Sequence, residues 1–183
     1  MFTHYMYNTL AVNPAYAGSR NALTITGLHR SQWVGFDGAP TTQTFTMHTP
    51  ILSENFGVGL SVLNDKIGPS NNTSIYADFA YHLKLGEKAK LALGLKGGGN
   101  LRAVELLPLK TTDAGDNAFS ANQQSKFLPN AGFGAYFYLP RFYAGLSAPN
   151  LLQNEVVTGV GTSVTNLIDE RRHFFLIAGT VFG

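Results

Sequence analysis

Ile75-Tyr76-Ala77-Asp78-Phe79-Ala80-Tyr81-His82-Leu83-Lys84-Leu85 is the stretch that decides the fold. Ile75, Ala77, Phe79, Tyr81, Leu83 and Leu85 fall on one side of a period-two chain, and Tyr76, Asp78, Ala80, His82 and Lys84 on the other. An α-helix would scatter both sets around its circumference, whereas a strand sends alternate side chains to opposite faces. The alternation recurs on either side of this stretch. Phe56, Val58, Leu60 and Val62 alternate with Gly57, Gly59 and Ser61; Leu91, Leu93 and Leu95 with Lys90, Ala92, Gly94 and Lys96. Phe133, Ala135, Phe137 and Leu139 alternate with Gly132, Gly134, Tyr136 and Tyr138, and looser versions follow at Phe142, Ala144, Leu146 and at Phe174, Leu176, Ala178. With two Thr-rich segments at 21–32 and 41–49, the chain reads as about eight strands.

Several of these runs extend over roughly 10–14 residues, the length that crosses a bilayer at a tilt and about twice that of a globular strand. The connections fall at 33–40, 50–55, 64–72, 86–88, 103–129, 140–141 and 149–170. From 64 onward longer links alternate with tight ones such as Gly86-Glu87-Lys88 and Pro140-Arg141. Outer-membrane barrels have this asymmetry, with short periplasmic turns and long outer loops.

Composition agrees. Only 13% of the 183 residues are charged, while 44% are hydrophobic and 12% aromatic. That is about half the charge of an ordinary soluble domain. The 13 Phe and 8 Tyr exclude a disordered chain. No apolar run approaches the ~20 residues of a spanning helix, which leaves the closed barrel as the other way to satisfy every backbone group in lipid. The face opposite the large apolar residues is mostly Gly, Ala, Ser and Thr, with a few Lys, Asp and His. Such a face makes a poor solvent coat for a soluble barrel and an acceptable interior for a transmembrane one.

The net charge of +2 argues against nucleic acid. Absence of cysteine excludes disulfides and thiolate metal sites. The start, Met1-Phe2-Thr3-His4-Tyr5, has neither a basic nor an apolar signal region, so an export signal is expected outside this stretch.

Motifs for chemistry are few. Lys96-Gly97-Gly98-Gly99-Asn100 has its lysine before the glycines and no helix after them, so it reads as strand glycine rather than a phosphate cradle. His4, His29, His48, His82 and His173 are mutually distant, without ligand spacing, and read as lumenal or interfacial. Neither metal nor cofactor is expected. There is no Gly-x-Ser-x-Gly elbow, and Asp113 and Asp116 read as turn residues, so the chain is read as non-enzymatic. Asn71-Asn72-Thr73 reads as loop-tip chemistry, and Arg171-Arg172-His173, after Asp169 and Glu170, as a head-group contact at a strand start.

Four strings are more specific. They are Tyr5-Met6-Tyr7-Asn8 through Asn13-Pro14-Ala15-Tyr16-Ala17-Gly18-Ser19; Arg30-Ser31-Gln32-Trp33-Val34-Gly35-Phe36-Asp37-Gly38-Ala39-Pro40-Thr41-Thr42-Gln43-Thr44; Gly57-Val58-Gly59-Leu60-Ser61-Val62-Leu63-Asn64-Asp65-Lys66-Ile67-Gly68-Pro69; and Tyr81-His82-Leu83-Lys84-Leu85. In that order and spacing the chain resembles the PorP/SprF family of type IX secretion system membrane proteins of Bacteroidota, most strongly over 5–97. The resemblance implies an antiparallel outer-membrane β-barrel that spans the membrane many times. It also implies a role in export or surface attachment of specific secreted substrates such as gliding adhesins. The implied partners are outer-membrane lipids, the proteins of the periplasmic type IX secretion ring and a cognate secreted substrate, with no small-molecule substrate. Members are longer, with strands beyond the segment resembling 171–182, so these residues are expected to be the amino-terminal part of a larger barrel.

Within that frame, residues 1–20 are expected to be a periplasmic segment or a plug, and 21–183 the barrel. Trp33 with Phe36 suits an aromatic girdle at the outer interface. Gly35, Gly38 and Pro40 define the turn that follows, and Asn64-Asp65-Lys66 is read as ending the third strand. These positions read either as a structured outer loop or as a docking surface. The residues put forward for partner binding are Trp33, Phe36, Asp37, Asn64, Asp65 and Lys66 outside, and Tyr5, Tyr7, Asn13 and Tyr16 inside. The rival classes are a diffusion pore or small-molecule transporter, and a soluble β-domain used for adhesion.

Overall fold

The computed structural model describes residues 7–51, 55–104, 123–153, 155–158, 166–169 and 172–181. Ten strands lie among them: β1 (Thr24–Ser31), β2 (Thr41–Ile51), β3 (Phe56–Ile67), β4 (Ser70–Lys84), β5 (Lys90–Val104), β6 (Gln123–Tyr138), β7 (Phe142–Ala148), β8 (Glu155–Thr158), β9 (Asn166–Asp169) and β10 (Phe175–Thr180). Eight form one antiparallel sheet in the order β1-β2-β3-β4-β5-β6-β7-β10, curled into a half-barrel, and β8 pairs with β9 alone. β4 and β5 have 15 residues each and β6 has 16, ample to cross a bilayer at a tilt. No helix among the described residues is long and apolar enough to cross a membrane.

Sidedness follows the alternation. Phe79, Leu93, Leu95, Phe133, Leu146 and Leu176 stand exposed on the convex face, while Asp78, Lys96, His48, His82, Asn100 and Asn130 are buried on the concave one. A water-soluble sheet would reverse this arrangement. Large apolar side chains left outside and polar ones enclosed fit lipid on the convex side.

The register turns the concave face into rows that cross the strands. At one end, Gly57, Ala80, Gly94 and Gly134 are mutual neighbours. Next come His48, Gly59, Asp78, Lys96 and Gly132, then Thr46, Ser61, Tyr76, Gly98 and Asn130. Towards the other end lie Thr44, Leu63, Ser74 and Asn100, and beyond them Thr42, Asp65, Asn72 and Arg102. The wall therefore grades from small residues to polar ones.

Residues 7–20 lie across the small-residue end. Two 3₁₀ turns, Thr9–Ala11 and Pro14–Tyr16, bring Leu10, Ala15 and Ala17 against the wall. Leu10 and Ala17 pack on Ala80, and Ala15 packs on Ala92 and Tyr136, with Tyr16 bridging both clusters. Glycine is required where backbones meet: a Cβ on Gly94 would fall on Ala15 N, and one on Gly57 on Ala17 O.

The boundaries differ from the sequence reading in three places. The stretch 64–72, read as a long connection, is strand on both sides of a two-residue turn at Gly68-Pro69. Asn64-Asp65-Lys66 thus sits inside β3, opposite Thr73, Asn72 and Asn71 of β4. These polar residues find partners across the ladder: Asn64 Nδ2 donates to Asn71 Oδ1 and Thr73 Oγ1, both at 2.8 Å, and Thr42 Oγ1 donates to Asp65 Oδ1 at 2.7 Å. The stretch 103–129 is partly strand as well, with Pro129 inside β6 opposite Gly99. The stretch 149–170 holds the β8–β9 pair. Asp113, Asp116, Glu170 and Arg171 lie outside the described residues.

Candidate functional site

Two regions carry the polar chemistry: the concave wall with its bound segment, and the strand ends near Trp33.

On the wall, Asn13 is 1% exposed and works in two directions. Its Oδ1 accepts from Ala15 N at 3.0 Å, capping the Pro14–Tyr16 turn, and its Nδ2 donates to Ala135 O of β6 at 3.1 Å. Pro14 suits the first position of that turn, where an N–H would lack an acceptor. Tyr16 accepts from Arg20 Nε at 3.1 Å and meets His48 and Tyr136 edge-on, with ring centroids 5.5 and 5.4 Å away. Gly18, at φ +74°, donates its N–H to His48 Nδ1 at 3.2 Å. His82 Nε2 lies 2.8 Å from Ala17 O. A carbonyl only accepts, so Nε2 carries the proton and Nδ1 is left to accept from Tyr138 Oη at 3.3 Å.

Beside this segment lies a buried ion pair. Lys96 Nζ is 2.8 Å from Asp78 Oδ1, with side chains 1% and 0% exposed. Ser61 Oγ donates to Asp78 Oδ2 at 2.9 Å, and Lys96 also reaches Leu10 O at 3.4 Å and faces the Tyr76 ring at 5.2 Å. Such a pair is stable in a low-dielectric wall only with further hydrogen bonds, and Ser61 supplies one to Asp78 and Leu10 O one to Lys96.

Above the pair the half-barrel encloses a cleft of about 310 Å³. Its floor is Ala11 and Val12, one side is formed by β2–β5, and the other by Pro149, Asn150, His173 and Phe175.

At the strand ends, Trp33 (φ +50°) and Phe36 are 70% and 75% exposed, and Asp37 is exposed beside them. The loop is ordered by Gln32 N to Pro40 O, Phe36 N to Trp33 O and Ala39 N to Phe36 O. It is tied to the β3–β4 turn by Gly68 N donating to Gly38 O at 2.9 Å.

The ten residues singled out from sequence therefore separate. Asn13 and Tyr16 lie on the wall, and Tyr7 stands 75% exposed at the start of the bound segment. Trp33, Phe36 and Asp37 share the end loop, near Lys66 at the end of β3. Asn64 faces outward, and Asp65 faces the cleft. Tyr5 lies outside the described residues. Sequence reasoning missed Asp78, Lys96, His82 and Asn130 as a set. Their one signal was an isolated polar residue on each strand's small-residue face, and pairing them needs the register. Among the described residues, no group of His, Asp and Glu could hold a metal ion.

A family model described as "Type IX secretion system membrane protein PorP/SprF" matches residues 1–183, the whole chain. The chain belongs to the PorP/SprF family. Neither a curated protein nor a solved structure matches it. Membership makes this PorP/SprF protein a membrane component of the type IX secretion system, in association with that machinery, and its all-β half-barrel is the architecture of an outer-membrane barrel. The Trp33 loop and the cleft are then parts of a secretion-system membrane component.

Proposed function

We propose that this PorP/SprF protein is a non-enzymatic, multi-pass barrel component of the outer membrane that assists export or surface attachment of particular secreted proteins, gliding adhesins among them. The observation that carries the reading is the inside-out distribution of polarity, joined to an ordered, aromatic end loop. The convex face offers lipid a surface with little specificity. Recognition falls instead to the loop carrying Trp33, Phe36 and Asp37, to the adjoining Asn64-Asp65-Lys66 strand end and to the concave wall. Exposed Trp and Phe on a loop fixed by backbone hydrogen bonds supply the rigid anchors that protein interfaces favour.

Residues 1–20 serve as a periplasmic segment or plug, and Tyr5 and Tyr7 are put forward as contacts for ring proteins. The packing of 7–20 on the wall supports this over a diffusion pore, which needs an open lumen.

Deletion of the gene should remove one or a few proteins from the cell surface while general type IX secretion continues. Alanine at Trp33, Phe36 and Asp37 should lower surface display of the same proteins with unchanged barrel level and heat-modifiability. Normal display in these variants would assign the loop to folding alone. Unchanged surface proteins on deletion, or large single-channel conductance, would overturn the export reading.

A further inference from the structure

The cleft above the ion pair holds more hydrogen-bonding capacity than the protein uses. Thr44, although 5% exposed, has no side-chain partner among the described residues, and the same holds for Asn72, Ser74 and Asn150. These groups can both donate and accept, and they face a space of about 310 Å³, the lower end of the range that binds small ligands. Free charge is scarce: Lys96 is neutralised by Asp78, and Asp65 already accepts from Thr42.

The same wall shows how it treats a guest. It holds residues 7–20 largely through backbone groups: Ala17 O on His82, Leu10 O by Lys96, and Gly18 N on His48. One row along, Asn130 grips the strand-free chain at 151–152. Its Oδ1 accepts from Leu151 N and Leu152 N, both at 3.1 Å, and its Nδ2 donates to Leu152 O at 3.1 Å. Twice, therefore, side chains of this wall read the main-chain groups of a segment that is not a strand.

We propose that the cleft is a receptor site for a short, uncharged polypeptide segment, held by its carbonyls and N–H groups on Thr44, Asn72 and Ser74. A polypeptide presents both the donors and the acceptors that these groups lack, and Ala11 and Val12 give it an apolar floor. The site deepens the export reading, on which it rests only for the biological source of the peptide.

The test uses the full chain in detergent micelles. The probes are capped neutral hexapeptides of Gly, Ser, Thr and Asn, with maltotriose and chitotriose as saccharides, and binding is read by saturation-transfer NMR and titration. The peptides should bind. The Thr44→Val/Asn72→Leu variant should weaken them by roughly tenfold or more, two hydrogen bonds' worth, without changing heat-modifiability. Because the chain has no cysteine, Ser74→Cys provides a check that needs no refolding: peptide should bind before alkylation with a bulky maleimide and be lost after it. Failure of every peptide to bind, binding indifferent to both variants, or binding of the saccharides alone would overturn the proposal. Peptide binding in a protein whose deletion leaves surface proteins unchanged would remove the export reading and keep this one; the converse result would remove this one alone.

Discussion

Gly94→Ala adds one methyl group at the point where β5 touches residues 7–20, and it is the sharpest probe of that contact. The new Cβ would coincide with backbone atoms of Pro14 and Ala15, which have no rotamer with which to give way. Overpacking in a well-filled interior costs about 1–3 kcal/mol, and a backbone neighbour puts this site near the top of that range. Alanine recovers up to ~1 kcal/mol of strand propensity, which leaves a net loss of about 2 kcal/mol. Lifting the segment off entirely would forfeit more: ~1.5–3 kcal/mol for Leu10, plus ~0.5–1.5 for each of the hydrogen bonds at Asn13, Ala17 and Gly18. The segment should therefore stay docked but open about 30-fold more often. Leu10→Cys, at a position 1% exposed and outside the cleft, reports opening in a chain without native cysteine. Maleimide labelling should be about 30-fold faster with Gly94→Ala than without it. Gly97→Ala on the same strand, where a Cβ meets nothing within 4 Å, should leave the rate unchanged. Equal rates in the two alanine variants, with the sheet intact by heat-modifiability, would refute the claim that glycine is there to seat the segment.

Three further outcomes test other parts of the structure. Phe79→Arg should destabilise the folded protein by about 2–4 kcal/mol, against ~0–1 for Ile67→Arg at the end of β3, in lipid-bilayer unfolding titrations; equal costs would mean the convex face does not meet lipid. Ala80→Arg should fail for another reason, by unseating residue 10 and Ala17, and so should raise Leu10→Cys labelling. Lys96→Met strands the buried Asp78 carboxylate and should cost about 3–5 kcal/mol by urea unfolding, most of which a second change, Asp78→Asn, should restore. Additive losses in the double variant would show that the pair is not coupled.

The sidedness of the sheet was legible because lipid and lumen impose opposite demands on alternate residues, and Phe79 beside Ala80 records both. Local polarity misled at Asn64-Asp65-Lys66 and Asn71-Asn72-Thr73. Residues of these types end strands when their side chains bond their own backbone, but here they bond one another across β3 and β4, a pairing that exists only once the register is set. The seat of residues 7–20 left a fainter trace. Gly57, Gly94 and Gly134 announce that something must approach closely, yet their partners Ala17, Ala15 and Asn13 lie between 40 and 121 positions away. The Asp78–Lys96 pair was hidden for the same reason, since each residue alone is one charge on a small-residue face. Of the residues proposed from sequence, the strand-end group rested on composition a loop could satisfy locally, whereas the wall group depended on contacts no local pattern encodes.

The bond from Asn13 to Ala135 spans 122 positions and also dictates an order of events during assembly. Residues 7–20 precede every strand, but their seat is shared by β3, β4, β5 and β6, so it does not exist until those four are side by side. Hairpins such as β3–β4 close through a two-residue turn at small entropic expense, while the segment must wait and then close the longest loop of all. The first of these residues to be synthesised are thus among the last to be immobilised. Until then the protein carries Leu10 and Tyr16 on an untethered arm beside a groove lined with glycine, and any chain able to lie flat on glycine competes with it for that groove.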